Sequence, residues 1–221
     1  MQRFFSIFRA MKKTLSLFLV ALHICFWGCK SDAPVAPEVT PKSSYQPVTK
    51  GSYWKYHITE TPNHPVINAT ITMTGETEMV GGLLCHKFNF ATEDGSIPGY
   101  FYHGNDIYLR ILNSPPNAFD LIPYLKDNVA IGQTWEVALE APNNISVGRI
   151  VEKDITRTVN HKLFTNVIHT QLLTQYKNDK GVVTTFQTTD TYIAEGVGLI
   201  ESNSLDSEGP QFTLLQEYSI K

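Results

Sequence analysis

The chain is 221 residues long and carries 18 Lys and Arg against 21 Asp and Glu, a formal net charge of −3. Four of the cations (Arg3, Arg9, Lys12 and Lys13) and none of the acids precede Gly28, so from Cys29 onward 14 basic residues face 21 acidic ones. An acidic balance speaks against a nucleic-acid partner, because phosphate binding needs a cationic face.

Residues 1–28 have the three parts of a signal peptide: a cationic start, an apolar run from Leu15 to Trp27 broken only by Ser16 and His23, and small Gly28. The run falls short of the ~20 apolar residues a permanent membrane helix needs, and no later segment approaches that length. Met11-Lys12-Lys13 is itself an ordinary basic beginning, so residues 1–10 read as an over-called start. Phe26-Trp27-Gly28-Cys29 resembles the lipobox of bacterial lipoproteins, in which a small residue precedes the cysteine that is diacylated and becomes the new amino terminus. Gly28 and Cys29 match that pattern. Phe26 and Trp27 depart from the usual leucine and small residue, as lipoproteins of Bacteroidota do, and Cys25 follows bulky Ile24 and does not fit. The resemblance implies that Cys29 is lipidated and that the membrane is a partner through N-terminal acyl chains, several of which anchor durably where one does not. Cys25 then leaves with the leader and Cys29 carries lipid, so Cys85 remains alone and no intramolecular disulfide is expected. Cys85 itself reads as a small apolar residue buried in a strand.

Residues 29–44 combine the lipidated cysteine with Pro34, Pro37, Pro41 and scattered Ser, Thr and charges, too little apolar surface to fold on, and read as a disordered tether. Residues 45–221 read as a single domain. Period-two alternation recurs along it. Trp54, Tyr56 and Ile58 alternate with Tyr53, Lys55 and His57, and Ile67, Ala69, Ile71 and Met73 with Asn68, Thr70, Thr72 and Thr74. Gly81-Gly82, Asp94-Gly95 and Gly104-Asn105-Asp106 are hairpin turns between further strands. More strands are predicted over 134–139, 146–157, 166–176 and 182–193, with two closing strands after Gly196-Val197-Gly198 and Gly209-Pro210, about ten in all. The segment 113–129 breaks the alternation; its apolar spacing (Phe119, Leu121, Ile122, Tyr124, Leu125) predicts a short helical or irregular piece that plugs or covers the sheet.

An internal echo suggests two related halves. Gly51-Ser-Tyr-Trp54 and Gly132-Gln-Thr-Trp135 each open a strand, and each is followed by a valine-led turn, at Val80-Gly81-Gly82 and at Val159-Asn160-His161.

Tyr45-Gln-Pro-Val-x-x-Gly51-x-x-Trp54-x-Tyr56 and Tyr192-x-Ala-x-Gly196-Val-Gly-Leu-Ile-Glu201 resemble the two ends of uncharacterised Bacteroidota cell-envelope lipoproteins. The resemblance implies a curved, mostly antiparallel sheet similar to the half-barrel of Lol-type lipoprotein carriers. The fold class expected is all-β, a half-barrel or lipocalin-like barrel. No catalytic residues come with it.

Chemistry is hard to find in the residues themselves. Histidines 57, 64, 86, 103, 161 and 169 are never two or four apart, so no pair shares a strand face or helix face toward a metal, and neither a metal site nor a cofactor is expected. Glu76, Glu78, Glu93 and Asp94 could supply paired carboxylates but read as solvated strand ends. Trp54 and Trp135 read as core, while Tyr56, Tyr100, Tyr102 and Tyr108 are the candidates for a ligand-facing aromatic surface. The reading that follows is a non-catalytic envelope lipoprotein, anchored at the outer membrane, that binds a lipid or other apolar molecule in a curved sheet. The alternative is a protein or glycan interaction module of a surface or periplasmic complex, its protein partner unknown.

Overall fold

The structure is a computed structural model in which residues 44–60, 65–114, 118–138 and 143–221 are described. Cys29, the leader and the tether up to residue 43 lie outside them. Lys42–Lys221 separates as one compact unit.

The alternation in the sequence becomes strands. Twelve are present: β1 (Tyr53–Thr59), β2 (Ile67–Val80), β3 (Leu83–Thr92), β4 (Gly95–Gly104), β5 (Ile107–Ser114), β6 (Ala118–Lys126), β7 (Thr134–Ala138), β8 (Asn144–Val159), β9 (Lys162–Lys177), β10 (Val183–Ala194), β11 (Gly198–Leu205) and β12 (Pro210–Ser219). They form one antiparallel sheet in the order β6-β5-β4-β3-β2-β1-β12-β11-β10-β9-β8-β7. The sheet curls until β6 lies against β8 and β9, where the Thr170 hydroxyl donates to the Tyr124 carbonyl at 2.9 Å. The fold is therefore all-β, a nearly closed barrel, as the alternation and the hairpin turns lead one to expect.

The segment 113–129 is the exception. In place of the expected helical or irregular piece, Asn113 and Ser114 finish β5 and residues 118–126 form β6, paired with β5 from Ile107↔Lys126 to Ser114↔Ala118. No helix occurs among the described residues. Pro123 argues against a strand only where both flanks must hydrogen-bond; β6 ends the sheet order, so its outer flank asks nothing of the missing N–H. A bulge between Tyr108 and Leu109 also disturbs the period of two that would have marked this hairpin.

The sheet order repeats with a period of six, and the two Gly-x-x-Trp openings occupy the same place in each half. Gly51 and Gly132 both adopt a left-handed conformation (φ 79° and 82°) that only glycine enters at little cost. The Gly51 amide donates to Met73 on β2 at 3.0 Å, and the Gly132 amide to Ile150 on β8 at 2.8 Å. Ser52 and Gln133 then close equivalent turns onto Thr49 and Ala130. The valine-led turns match too: Gly81-Gly82 and Asn160-His161 both place two consecutive residues at positive φ, the signature of a type I′ hairpin.

Inside the curl, Trp54, Met73, Phe88, Phe101, Tyr108, Trp135 and Ile193 belong to one large core. Two cross-strand glycines are needed for it. Trp135 faces Gly148 across β7–β8 and Phe88 faces Gly99 across β3–β4, and a Cβ on either glycine would stand 2.2–2.4 Å from the opposing ring. In both cases the ring fills the space a side chain on the glycine would need. Gly148→Val is expected to destabilise the 42–221 unit by about 2 kcal/mol or more, since Trp135 must leave its place, and urea denaturation against the wild type measures it.

Candidate functional site

The concave side of the sheet encloses a cavity of about 700 Å³, a volume typical of small-ligand sites. Its walls differ in chemistry. One is apolar, with Trp54 and Tyr56 of β1, Ile71 of β2, Phe101 of β4 and Leu121 to Tyr124 of β6. The opposite wall presents hydroxyls, with Ser146, Thr174, Thr189, Thr191, Ser202, Ser204 and Thr213. Alternation explains this wall, because Thr189 and Thr191 share the inward face of β10 while Asp190 and Tyr192 take the outward one.

One end is closed by the residues ahead of β1. The Gly196 amide donates to the Ser44 carbonyl at 3.0 Å, Tyr45 packs edge-on to Tyr108, and buried Gln46 lines the cavity floor. Gln46 Oε1 accepts from the Tyr124 hydroxyl at 3.1 Å. Next to it, Trp54 Nε1 donates to the Val197 carbonyl at 2.6 Å and the Tyr56 hydroxyl to the Leu199 carbonyl at 3.0 Å. The two motifs that bracket the domain in sequence thus meet in space and build this floor. At the other end the lining reaches Phe186, 45% exposed, and exposed Gln211, and there the cavity opens.

Arg110 is the one charged side chain among the described lining residues. Its Nε is buried without a hydrogen-bond partner. Burial pulls the guanidinium below its ordinary pKa, and the nearby Tyr56 and Tyr124 act in the opposite sense. Burial raises the pKa of both phenols, with Arg110 lowering it only in part. Both therefore stay neutral, and neither supplies a counter-charge.

Of the four tyrosines singled out from sequence, Tyr56 lines the cavity. The other three stand elsewhere for reasons of strand parity and depth. Tyr100 packs with Val80, Cys85, Leu109 and Ile111 in a second cluster, on the face of β4 opposite to Phe101, and its hydroxyl donates to Glu78 at 3.0 Å. Tyr102 shares that face and lies against Gly104. Tyr108 points inward but sits in the core beside the floor, stacked on His103 at 3.9 Å with its hydroxyl toward Asp127. Arg110 was not singled out, although a cation between Tyr108 and Leu112 on the same register of an apolar strand was the available signal.

Other candidate chemistry disperses. Cys85 is free and buried, and burial raises its thiol pKa. Glu76 pairs with Lys87 at 3.3 Å, Glu78 takes Tyr100, and Glu93 accepts from Asn68, so these carboxylates are engaged separately. His169 touches Glu152 at 3.2 Å and Asp190 at 2.9 Å and stacks on Tyr192, whose ring also carries Arg157. Arg157 in turn makes a two-pronged pair with Glu201 at 2.9 and 2.7 Å. Tyr192 and Glu201 of the closing motif thus hold adjacent strands together on the outer face. Among the described residues no group of three or more His, Cys, Asp and Glu is arranged to hold a metal.

These features define a class: a twelve-stranded antiparallel, nearly closed barrel with an internal cavity. The architecture is shared with a solved structure. A Bacteroides fragilis protein inferred to be exported and described as having a YmcC-like fold is similar at a TM-score of 0.50 and 11% identity, over 80% of this chain and 99% of that one. A protein from Parabacteroides distasonis inferred to be a lipoprotein aligns at a TM-score of 0.45 and 14% identity, with the same coverage of 80% and 99%. At such identity the first likeness shows the fold alone. No family model matches the chain, and no curated protein matches it in sequence.

Proposed function

We propose that the chain is a membrane-anchored envelope lipoprotein that acts without catalysis and binds a lipid or other apolar molecule inside the barrel. The observation that supports this reading is the cavity of about 700 Å³, with one apolar wall and an exposed aromatic, Phe186, at its mouth. The hydroxyl wall opposite favours an amphiphile over a pure hydrocarbon, since it offers hydrogen-bonding groups that a hydrocarbon cannot use. Native mass spectrometry of the protein purified from its own envelope is expected to show a co-purifying ligand released on denaturation. Uniformly ligand-free protein counts against the reading. An interaction module is the second reading, and exposed Leu205, Phe212 and Leu214 on the neighbouring strands β11 and β12 favour it. Crosslinking in cells followed by pull-down would then recover a stable partner.

A further inference from the structure

We infer that the cavity takes an amphiphile with an anionic headgroup, carboxylate or phosphate, whose charge is met deep in the barrel by Arg110 while its apolar chain lies along the β1–β6 wall toward Phe186. The inference rests on the cavity being a ligand site, and deepens it by naming the headgroup.

Three observations converge on it. Arg110 is the one charge among the described lining residues, so the cavity has a positive pole and otherwise neutral walls. The Nε carries a buried, unpartnered N–H, and no carboxylate of the described side chains makes a salt bridge with it. A buried guanidinium N–H left without an acceptor is costly, and a structure keeps one where a ligand can supply the acceptor. The planar fork of the guanidinium suits an oxyanion with two acceptor atoms, which an alcohol or ester headgroup does not offer. The layout of the barrel agrees, for the floor is closed by Gln46, Trp54 and Tyr124 and aromatic Phe186 stands at the mouth. An anionic head at Arg110 then leaves the chain pointing outward, along Leu121, Ile122 and Phe186.

The test uses the 42–221 unit, which has its own core, loaded with the uncharged fluorophore N-phenyl-1-naphthylamine and titrated with hexadecanoic acid, hexadecyl phosphate and methyl hexadecanoate. The acid, the phosphate or both are expected to displace the probe at least 10-fold more tightly than the ester, and the stronger of the two identifies the headgroup. Arg110→Met is expected to bring anion and ester within about 2-fold of one another, with melting temperature confirming that the variant is folded. Equal binding of all three to the wild type, with Arg110→Met indistinguishable, overturns the headgroup while leaving the cavity as an apolar site. Failure of the probe and all three amphiphiles to bind overturns both readings. The β5–β6 register pairs Asp120 with Leu112, two positions from Arg110, and Asp120→Asn is the control. Anion preference that emerges only in Asp120→Asn would mean the chain neutralises Arg110 itself, and would overturn the inference.

Discussion

Trp54→Ala is expected to destabilise the 42–221 unit by ~3–5 kcal/mol, the range for removing a large buried aromatic. Trp54 is 1% exposed, sits at the start of the central strand β1, and contacts the floor through Nε1 to the Val197 carbonyl at 2.6 Å. Truncation removes the apolar area, leaves that carbonyl with one donor fewer, and joins the new void to a cavity already present, so collapse around the site is limited. Chemical denaturation followed by far-UV circular dichroism measures it. A loss below ~1 kcal/mol, the range of surface substitutions, would contradict the burial and make the indole a contact surface for ligand instead.

Cys29→Ser is expected to release the protein from the membrane without unfolding it. A serine hydroxyl cannot replace the thiol in thioether formation, so neither diacylation nor the cleavage that follows it should occur. The 42–221 unit buries its own core and has no use for acyl chains in folding. In a Bacteroidota host fed labelled palmitate, wild type should carry label and sediment with membranes. The variant should carry none and appear as soluble protein or with its leader retained. Equal labelling of the two forms, or an unlabelled wild type, would remove the basis for the anchor.

The strand positions were legible because one face of each strand meets the core and the other meets water, which writes a period of two into Trp54-Lys55-Tyr56 and Ala69-Thr70-Ile71. The hairpins were legible because positive φ restricts the residues that can turn, as at Gly81-Gly82 and Asn105-Asp106. β6 escaped because an end strand tolerates Pro123 and its spacing imitates a helix. The cavity was harder for a general reason. An aromatic facing a void and one facing packed side chains have the same parity, so Tyr56 and Tyr108 look alike in sequence while only the first lines the cavity. Arg110 needed the pairing partner as well, for a cation on an inward register is informative only once both neighbouring strands are known to exclude water.

Pairing of the first strand with the last has a bearing on synthesis. Tyr53 lies opposite Ser219, and Trp54 and Tyr56 complete their hydrogen bonds with residues 143 positions later. Contacts so far apart in sequence are entropically expensive to initiate and form slowly. A nascent chain therefore lacks the strand that joins the two halves of its sheet until β12 has left the ribosome. Arrival of β12 between β1 and β11 then covers both bare edges at once, so a product cut short before Pro210 would expose two templates for aggregation.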